Sequence, residues 1–452
     1  MCATDETYFL SNKQRIQLNN NLNIDGLVEA AINQLFNDNK IDDATRKQLI
    51  QSHYEPLKQA VNEGFGSSPL GEIKGAVEYG TPNYEFLKQL QTNTAVFAAF
   101  KNHSSIKEMA ALLKDKDGNV RTREEFKKQA LQVDATYRGR YLDVEYNSAV
   151  RTARAAEQWQ KIQATKHLYP NIKYMSSVAA HPRADHTKYY GIVRPVDDPF
   201  WNHHTPPNGW ECKCRIESSR DDTTDIPNNL PPVPKEFAVN AGKLGQIFNI
   251  DASNYSNGVT KAEKVKLLKD AKSIVDTEAA KNAPYQHLYT SKTGTEVAAH
   301  PLSFDNADFQ ENVKAARDLA NSKLPIKTIQ ILPNLEAHPE LRSDLLPDVK
   351  GIKNADFRID NVVCDMKTPS ENTASKNTIK NSISYAHEQG EGIVLVIEKE
   401  NFISEQQLYS DIANKFRNEA YNHFKVYLKY NNEWQMWNKE TWTEFYKAIK
   451  KP

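Results

Sequence analysis

The sequence predicts a multidomain protein with a mostly α-helical N-terminal half, a small irregular region that contains His and Cys, and a C-terminal α/β (α+β) domain. The 452 residues leave room for two or three domains. Residues 1–165 carry apolar residues at helical spacing and few strand signals. From residue 300 onward, short apolar runs of strand length alternate with helical patterns, which is typical of a sheet packed against helices.

Composition narrows the classes of protein to consider. Lys plus Arg and Asp plus Glu each number 58, so the net charge is zero and any surface for nucleic acid must be local. The mean hydropathy is −0.70, and no apolar run approaches the roughly 18 residues of a transmembrane helix. The N-terminus lacks the apolar core of a signal peptide. No membrane partner is therefore expected.

The cysteine count argues against a disulfide framework, since the only cysteines are Cys2, Cys212, Cys214 and Cys364. Cys212 and Cys214 are too close in sequence for an ordinary bridge. The pair therefore indicates either a reducing compartment or a metal site.

The N-terminal helices are predicted from apolar periodicity over residues 25–36, 43–63, 83–100, 105–113 and 122–164. Their apolar stripes are thin and their surfaces are charged. Long helices of this kind usually pack on a partner as well as on one another. A self-contained helical domain would give the same pattern, and the residues alone leave both interpretations open.

Residues 169–215 combine aromatic residues with six metal-ligand side chains: His181, His186, His203, His204, Cys212 and Cys214. Tetrahedral zinc takes four ligands of these types. The predicted ligands of a structural zinc ion are Cys212, Cys214, His186 and His203. In the alternative, Trp201 and Trp210 form a small core and the histidines are ordinary surface residues.

The same stretch runs from a basic His/Asp segment through Pro199-Phe200-Trp201 to Pro-Pro-Asn-Gly-Trp-Glu-Cys-Lys-Cys-Arg at residues 206–215. It resembles the phage Mu F-like family of head morphogenesis proteins over residues 135–217. The resemblance implies a minor capsid protein of the virion with portal and capsid proteins as partners. Residues 1–134 would then be a helical region that contacts the portal.

Residues 218–299 are predicted to connect the two halves of the chain. Residues 221–234 are rich in Pro and Asp and indicate an extended linker. Residues 261–283 carry apolar positions at helical spacing among many charges, which predicts a spacer helix. The C-terminal domain is accordingly predicted to cover residues 300–452.

The C-terminal domain is organised around residues 356–367, Asp-Phe-Arg-Ile-Asp-Asn-Val-Val-Cys-Asp-Met-Lys. Alternating apolar positions on both sides of Asp360-Asn361 predict a tight hairpin. Asp356 would stand at the head of the first strand, with Asp365 and Lys367 on one face of the second. Residues 375–389 follow with helical spacing, and 393–397 form an apolar run that suits a buried strand.

The Asp…Asp-x-Lys spacing resembles the PD-(D/E)XK nuclease superfamily. The longer run from residue 356 through Lys367-Thr368-Pro369-Ser370 to the helix and strand resembles the C-terminal nuclease domains of CdiA-type polymorphic toxins. It also resembles the barnase–EndoU–colicin–RelE-like nucleases found fused to phage proteins. These resemblances imply a toxin domain that cleaves nucleic acid, with RNA and tRNA in particular as substrate and an immunity protein as a further partner. The bacterial host cytoplasm would be its place of action.

Three hypotheses for the C-terminal domain follow. In the first, Asp356 and Asp365 hold a divalent metal such as Mg²⁺, Lys367 stabilises charge on the phosphate, and Gln389 positions the substrate or the lysine; Glu311 is a further candidate ligand. In the second, the domain is a metal-free ribonuclease that uses the side chains of Lys367, Thr368, Ser370 and His387. In the third, the whole chain is a non-enzymatic structural protein of the virion.

Residues 425–437, with a turn at Asn431-Asn432, predict a last hairpin whose aromatic and Lys side chains could meet bases and phosphates.

Overall fold

The computed structural model describes residues 23–66, 82–304, 306–336, 338–369, 377–397 and 403–449. The chain forms two compact units, an N-terminal unit of residues 1–276 and a C-terminal unit of residues 277–452. The first is mostly helical and the second is a mixed sheet with helices. The predicted fold class is therefore confirmed. Within the described residues, no helix combines the length and the apolar character needed to cross a membrane.

The first five helices of the N-terminal unit correspond to the predicted periodic stretches. The two patterns at 83–100 and 105–113 form one continuous helix, and the long pattern at 122–164 is two helices joined by a π-helical turn at Tyr137–Tyr141. Capping side chains fix two of the starts, since Asp42 accepts the Thr45 N–H and Thr122 forms a capping box with Glu125. The helices are α1 (Ile24–Asp38), α2 (Asp43–Phe65), α3 (Pro82–Ala111), α4 (Arg123–Thr136) and α5 (Leu142–Thr165).

The helices α2, α3 and α5 pack around an apolar core that includes Leu57, Phe97 and Val150. Gly64 permits the close approach of α2 to α5, because a Cβ there would lie 2.3 Å from the Val150 carbonyl oxygen. A buried ion pair between Lys101 and Glu145 joins α3 to α5.

The His/Cys region of the N-terminal unit is built on a small antiparallel sheet. Its strands β1 (Asn171–Met175), β2 (Val193–Pro195) and β3 (Arg215–Ser219) stand in the order β2-β1-β3. Trp201 is fully buried in the core beneath it, while Trp210 packs edge-on against Phe237. The two tryptophans therefore have different neighbours. A short helix α6 (Ala241–Leu244) and the long helix α7 (Lys261–Lys281) follow, and the division between the units falls within α7.

The C-terminal unit is an eight-stranded mixed sheet with strand order β11-β10-β9-β8-β7-β6-β5-β4. The pairs β5–β6, β8–β9 and β9–β10 are parallel, and the other neighbours are antiparallel. The strands are β4 (Gln286–Thr290), β5 (Glu296–Ala299), β6 (Thr328–Ile331), β7 (Phe357–Ile359), β8 (Val362–Lys367), β9 (Gly392–Val396), β10 (Lys425–Tyr430) and β11 (Glu433–Trp437).

Helices cover both faces of this sheet. α8 (Phe309–Ala320) packs on one face, and α10 (Thr378–His387) and α11 (Glu405–Phe416) pack on the other. A short α9 (Arg342–Leu345) and the last helix α12 (Lys439–Ile449) complete the unit.

Both predicted hairpins are present. Asp360 and Asn361 have φ of 44° and 70°, and Asn431 and Asn432 have φ of 49° and 61°. Positive φ at both central residues is the backbone of a two-residue type I′ hairpin, which Asn and Asp tolerate. Residues 286–290 and 296–299, which the sequence assigned to the linker and spacer, form β4 and β5 of the sheet instead. The domain therefore begins earlier in the chain than residue 300.

Candidate active site

The candidate active site lies where the carboxyl ends of the parallel strands meet, in the middle of the strand order of the large sheet. Because β7 is antiparallel to both β6 and β8, the start of β7 lies beside the end of β8. Asp356 comes directly before β7, and Asp365 and Lys367 are in the last half of β8. The backbone N–H of Asp356 donates to the Cys364 carbonyl at 3.2 Å, which fixes the two segments side by side.

Asp356 is held by hydrogen bonds to both of its carboxylate oxygens. Its Oδ2 accepts the Met366 N–H at 2.7 Å, and its Oδ1 accepts the Asn312 Nδ2–H at 3.2 Å. Burial, followed by the negative charge of Asp365, raises the pKa of Asp356 to about 6. Two carboxyl groups therefore lie close enough to repel one another when both are charged.

Asp365 is 3% exposed and forms an ion pair with the Lys367 ammonium. Lys367 also donates to the Met366 carbonyl at 3.2 Å, and its side chain is 34% exposed. A buried carboxylate is thus neutralised by a cation that still reaches solvent. The structure brings Asp356, Asp365 and Lys367 together, as the hairpin predicted.

Asn312 is the member of this cluster that the sequence did not reveal. It lies in α8, is 3% exposed, and touches Asp356 through its amide nitrogen. The neighbouring Glu311, the candidate from sequence, is exposed. The helical spacing could have identified Asn312, because it shares the inward face with Ala316, Leu319 and Ala320, whereas Glu311 does not.

Among the other described candidates, Gln389 and His387 lie apart from this cluster, whereas Thr368 directly follows Lys367. Thr368 is exposed directly after β8, and Ser370 lies outside the described residues. The amide of Gln389 donates to the Tyr385 carbonyl at 3.4 Å, and no hydrogen bond among the described residues connects it to Lys367. Because β8 and β9 are parallel, the helix α10 that connects them ends beside the amino ends of these strands, opposite to the carboxyl end of β8 where Lys367 lies. His387, its last residue, packs there on the rings of Tyr421 and Phe424.

The donor atoms around Asp356 fit a small divalent cation. Carboxylate and amide oxygens are the ligands that Mg²⁺ prefers. Asn312 Oδ1 is buried and has no hydrogen-bond partner within the described residues, so an amide oxygen is available beside the Asp356 carboxylate. A cation would also offset both causes of the raised pKa of Asp356, which are burial and the negative charge of Asp365.

A second cluster of ligand atoms lies in the N-terminal unit. His186 Nδ1 is 3.5 Å from Cys212 Sγ and 3.6 Å from Cys214 Sγ. Hydrogen bonding from Cys214 and then from His186 lowers the pKa of Cys212 to about 4, although burial opposes this. His186 and Cys212 are buried, and Cys214 is half-buried.

His203, the fourth ligand predicted from sequence, is not part of this cluster. It is exposed, and its Nδ1 lies 3.0 Å from the Ala238 carbonyl oxygen. His204 stacks on Phe200 with ring centroids 4.4 Å apart. Of the predicted ligands, the fold therefore brings together His186, Cys212 and Cys214.

Comparison with protein families places each site in a recognised region. Residues 75–217 match the family described as Phage Mu protein F like protein, and this segment contains the His/Cys cluster. Residues 353–432 match the Contact-dependent growth inhibition CdiA C-terminal domain, and this segment contains Asp356, Asp365 and Lys367. The resemblances to the Mu F-like family and to CdiA-type C-terminal domains are confirmed.

Two curated relatives match the first region. The "Putative capsid assembly protein F" of Escherichia phage Mu is 37% identical over 73 residues, which is 16% of this chain and 17% of that protein. The Mu-like prophage FluMu F protein of Haemophilus influenzae is 32% identical over 71 residues, 16% of each chain. The matches thus span about a sixth of the length of these relatives. No solved structure matches the chain.

Proposed function

We propose that this chain is a phage minor head protein whose C-terminal unit is a metal-dependent nuclease. The observation that carries the nuclease proposal is the convergence of Asp356, Asp365 and Lys367 at one edge of the sheet. Support also comes from the CdiA C-terminal family match, which covers all three residues. Fold-level likeness alone would not suffice, because many functions share one fold.

The side chains divide the work of phosphodiester cleavage between them. Asp356 and Asp365 would hold a magnesium ion, with Asn312 beside Asp356 as a further oxygen donor. When bound, the ion supplies Lewis-acid polarisation of a phosphoryl oxygen and lowers the pKa of a water molecule. Lys367, which is one-third exposed and paired with Asp365, would place its positive charge against the phosphate. Its ammonium would stabilise the charge that develops during cleavage.

The substrate we propose is RNA, with tRNA the first candidate, on the likeness to CdiA-type toxin domains. A local surface could assist binding, because the β10–β11 hairpin carries Lys429 and its cross-strand partner Trp434 on one face, both partly exposed. Lys429 is paired with Asp318, and Trp434 donates to the same carboxylate at 3.1 Å. Aromatic rings stack on bases irrespective of their identity, so this hairpin would add affinity more than selectivity.

For the N-terminal unit we propose a role in the phage head. Its relative in phage Mu bears the name of a capsid assembly protein, and portal and capsid proteins are the partners that such a role requires. The chain would travel in the virion, act in the bacterial host cytoplasm, and be matched by an immunity protein in its producer. Copurification of the full chain with the portal protein tests the first of these points.

The decisive experiment incubates the full-length chain with tRNA and with plasmid DNA, each with magnesium and with excess EDTA. Cleavage of tRNA that stops in EDTA and returns with magnesium is the expected result. Cleavage of plasmid alone would overturn the RNA proposal but not the nuclease proposal. Cleavage that persists in EDTA would favour the metal-free mechanism. If neither substrate is cut under any condition, the unit is a binding or structural module.

A further inference from the structure

We propose that His186, Cys212 and Cys214 bind a zinc ion that fastens the irregular segment between β1 and β3 of the N-terminal unit. The proposal is independent of the nuclease site, since it rests on different residues in a different unit. Neither family match nor either relative assigns a metal to this region.

The interatomic distances are those of a tetrahedral zinc site. Zn–S bonds of about 2.3 Å and Zn–N bonds of about 2.0–2.1 Å at a tetrahedral angle separate the nitrogen and the sulfur by about 3.6 Å. The observed separations from His186 Nδ1 are 3.5 Å to Cys212 Sγ and 3.6 Å to Cys214 Sγ. A neutral imidazole nitrogen has one lone pair, so it can accept only one thiol hydrogen bond well. Two sulfurs at equal distance from one nitrogen are better explained by a shared cation.

Hydrogen-bonding groups surround the two sulfurs. The peptide N–H groups of Cys214 and Asn208 hydrogen-bond to the Cys212 sulfur. The hydroxyl of Tyr174 lies beside Cys214, and Asn208 Nδ2 donates to that hydroxyl at 3.0 Å. Hydrogen-bonded neighbours of this kind orient the ligands of a metal site and stabilise their charge.

The local fold gives such an ion a structural task. Between β1 and β3 the chain contains only the short strand β2 and two 3₁₀ turns. His186 comes from the turn Asp185–Tyr189, whereas the cysteines come from the segment just before β3. An ion held by both would cross-link segments that few backbone hydrogen bonds connect. Sulfur and imidazole ligands select zinc over magnesium, which distinguishes this site from the carboxylate site.

The fourth position of the tetrahedron is assigned to a water molecule. Within the described residues, the group of ligand atoms that meets a common point consists of His186, Cys212 and Cys214 alone. Three protein ligands and water are the usual set of a catalytic zinc ion, and a structural zinc ion usually has four protein ligands. The structural role proposed here follows from the cross-link between the two segments and not from the number of ligands.

The test measures zinc in the full-length chain purified from zinc-supplemented cells, by elemental analysis, and then replaces zinc with cobalt. We expect about one zinc per chain and, with cobalt, a thiolate-to-metal charge-transfer band together with the intense visible bands of tetrahedral geometry. Only sulfur ligands produce the charge-transfer band, so a metal bound by carboxylates would not be mistaken for this site. Cys212→Ser and His186→Gln should each lower zinc content at least tenfold.

Two matched variants control for nonspecific effects. His203→Ala removes a histidine of the same region that lies outside the cluster, and Cys364→Ser removes a cysteine of the other unit. Both should retain full zinc content and the cobalt spectrum. A wild-type chain that contains no zinc and gives no charge-transfer band with cobalt would overturn the proposal, whatever the variants do. Equal metal loss in His203→Ala and His186→Gln would overturn the ligand assignment.

Discussion

The two candidate sites of this protein differ in how the chain assembles them. Asp356, Asp365 and Lys367 belong to one hairpin, whose register places them together through the backbone hydrogen bonds of neighbouring strands. His186, Cys212 and Cys214 come from two irregular segments that meet only in the folded state. A site on one hairpin can be predicted from sequence, because pairing fixes its geometry. A site on loops requires the fold.

The donor atoms differ as well, and this separates the two sites by chemistry. Oxygen ligands around a like-charged carboxylate pair suit magnesium, whereas sulfur and nitrogen ligands suit zinc. The carboxylate site also has a partly exposed cation, Lys367, which the proposed cleavage would use. The sulfur site is mostly buried and lies in a region with little regular structure, where a bound ion would cross-link separate segments.

The largest expected effect on the proposed RNA cleavage comes from removing charged groups of the carboxylate site. Lys367→Ala should lower RNA cleavage by about 10²–10³-fold, because electrostatic stabilisation of the developing charge is lost. Asp365→Asn should do the same, because a neutral amide neither holds the metal nor balances the charge of Lys367. Initial rates with labelled tRNA measure this. Lys323→Ala, which removes an exposed lysine from the loop between α8 and β6, is the matched control and should retain activity. If the three variants are equally active, the hairpin is a surface feature and the comparison between a reactive and a structural site fails.

The sequence predicts the central hairpin of the C-terminal unit but not its edge strand β4 or the role of Asn312. Asp360-Asn361 predicted the hairpin because few residues tolerate positive φ at both turn positions. The strand β4 was not predicted because it is an edge strand with no fully buried residue, so its apolar alternation is weak. Asn312 was missed since a polar residue on an inward helical face is noticed only when its partner, Asp356, is known.

At the His/Cys cluster, the sequence alone could not identify the histidine that lies beside the cysteines. Four histidines lie within residues 181–204, and the sequence does not decide which of them meets the cysteines. His186 meets them because its 3₁₀ turn lies against the segment before β3, while His203 faces the Ala238 carbonyl. Such a choice depends on contacts between residues that are distant in sequence, which no local spacing records.

A second prediction concerns the pH dependence of folding near Asp356. Its pKa rises from 3.8 to about 6 on folding, so between about pH 4 and pH 6 the folded state binds more protons than the unfolded state. The stability that protonated Asp356 contributes is complete below pH 4 and is lost as the pH rises through 6. Wild-type protein should therefore be less stable at pH 7.5 than at pH 5 in the strands β7 and β8, by roughly 1–3 kcal/mol.

Asp356→Asn should flatten this profile, since the amide does not titrate. Hydrogen exchange of peptides that cover residues 356–367, corrected for intrinsic rates, resolves the effect without interference from the N-terminal unit. Magnesium should restore protection at pH 7.5 in the wild type and not in the variant. Identical pH profiles for the two proteins would mean that burial and the charge of Asp365 do not raise the pKa of Asp356.

A smaller effect is expected from the residue that the sequence did not reveal. Asn312→Ala should raise the magnesium concentration needed for half-maximal cleavage by about tenfold, a loss typical of groups that orient a metal ligand. Glu311→Ala should change it little, because that side chain is exposed and points away from the inward face of α8. The reverse ranking would restore Glu311 as the ligand and remove Asn312 from the site.

The smallest expected effect on cleavage comes from His387, and it distinguishes the two nuclease mechanisms. His387 packs on the Tyr421 ring with centroids 4.5 Å apart, at the sheet edge opposite Lys367. His387→Ala should therefore cost about 1 kcal/mol of stability through lost ring contacts and leave cleavage within about twofold of wild type. A general acid or base would contribute about 10²–10⁴-fold. His387→Phe, which keeps the ring packing, should recover the stability and the same activity. A hundredfold loss in both variants, with folding intact, would require His387 to act on the substrate and would shift the reactive site away from the hairpin.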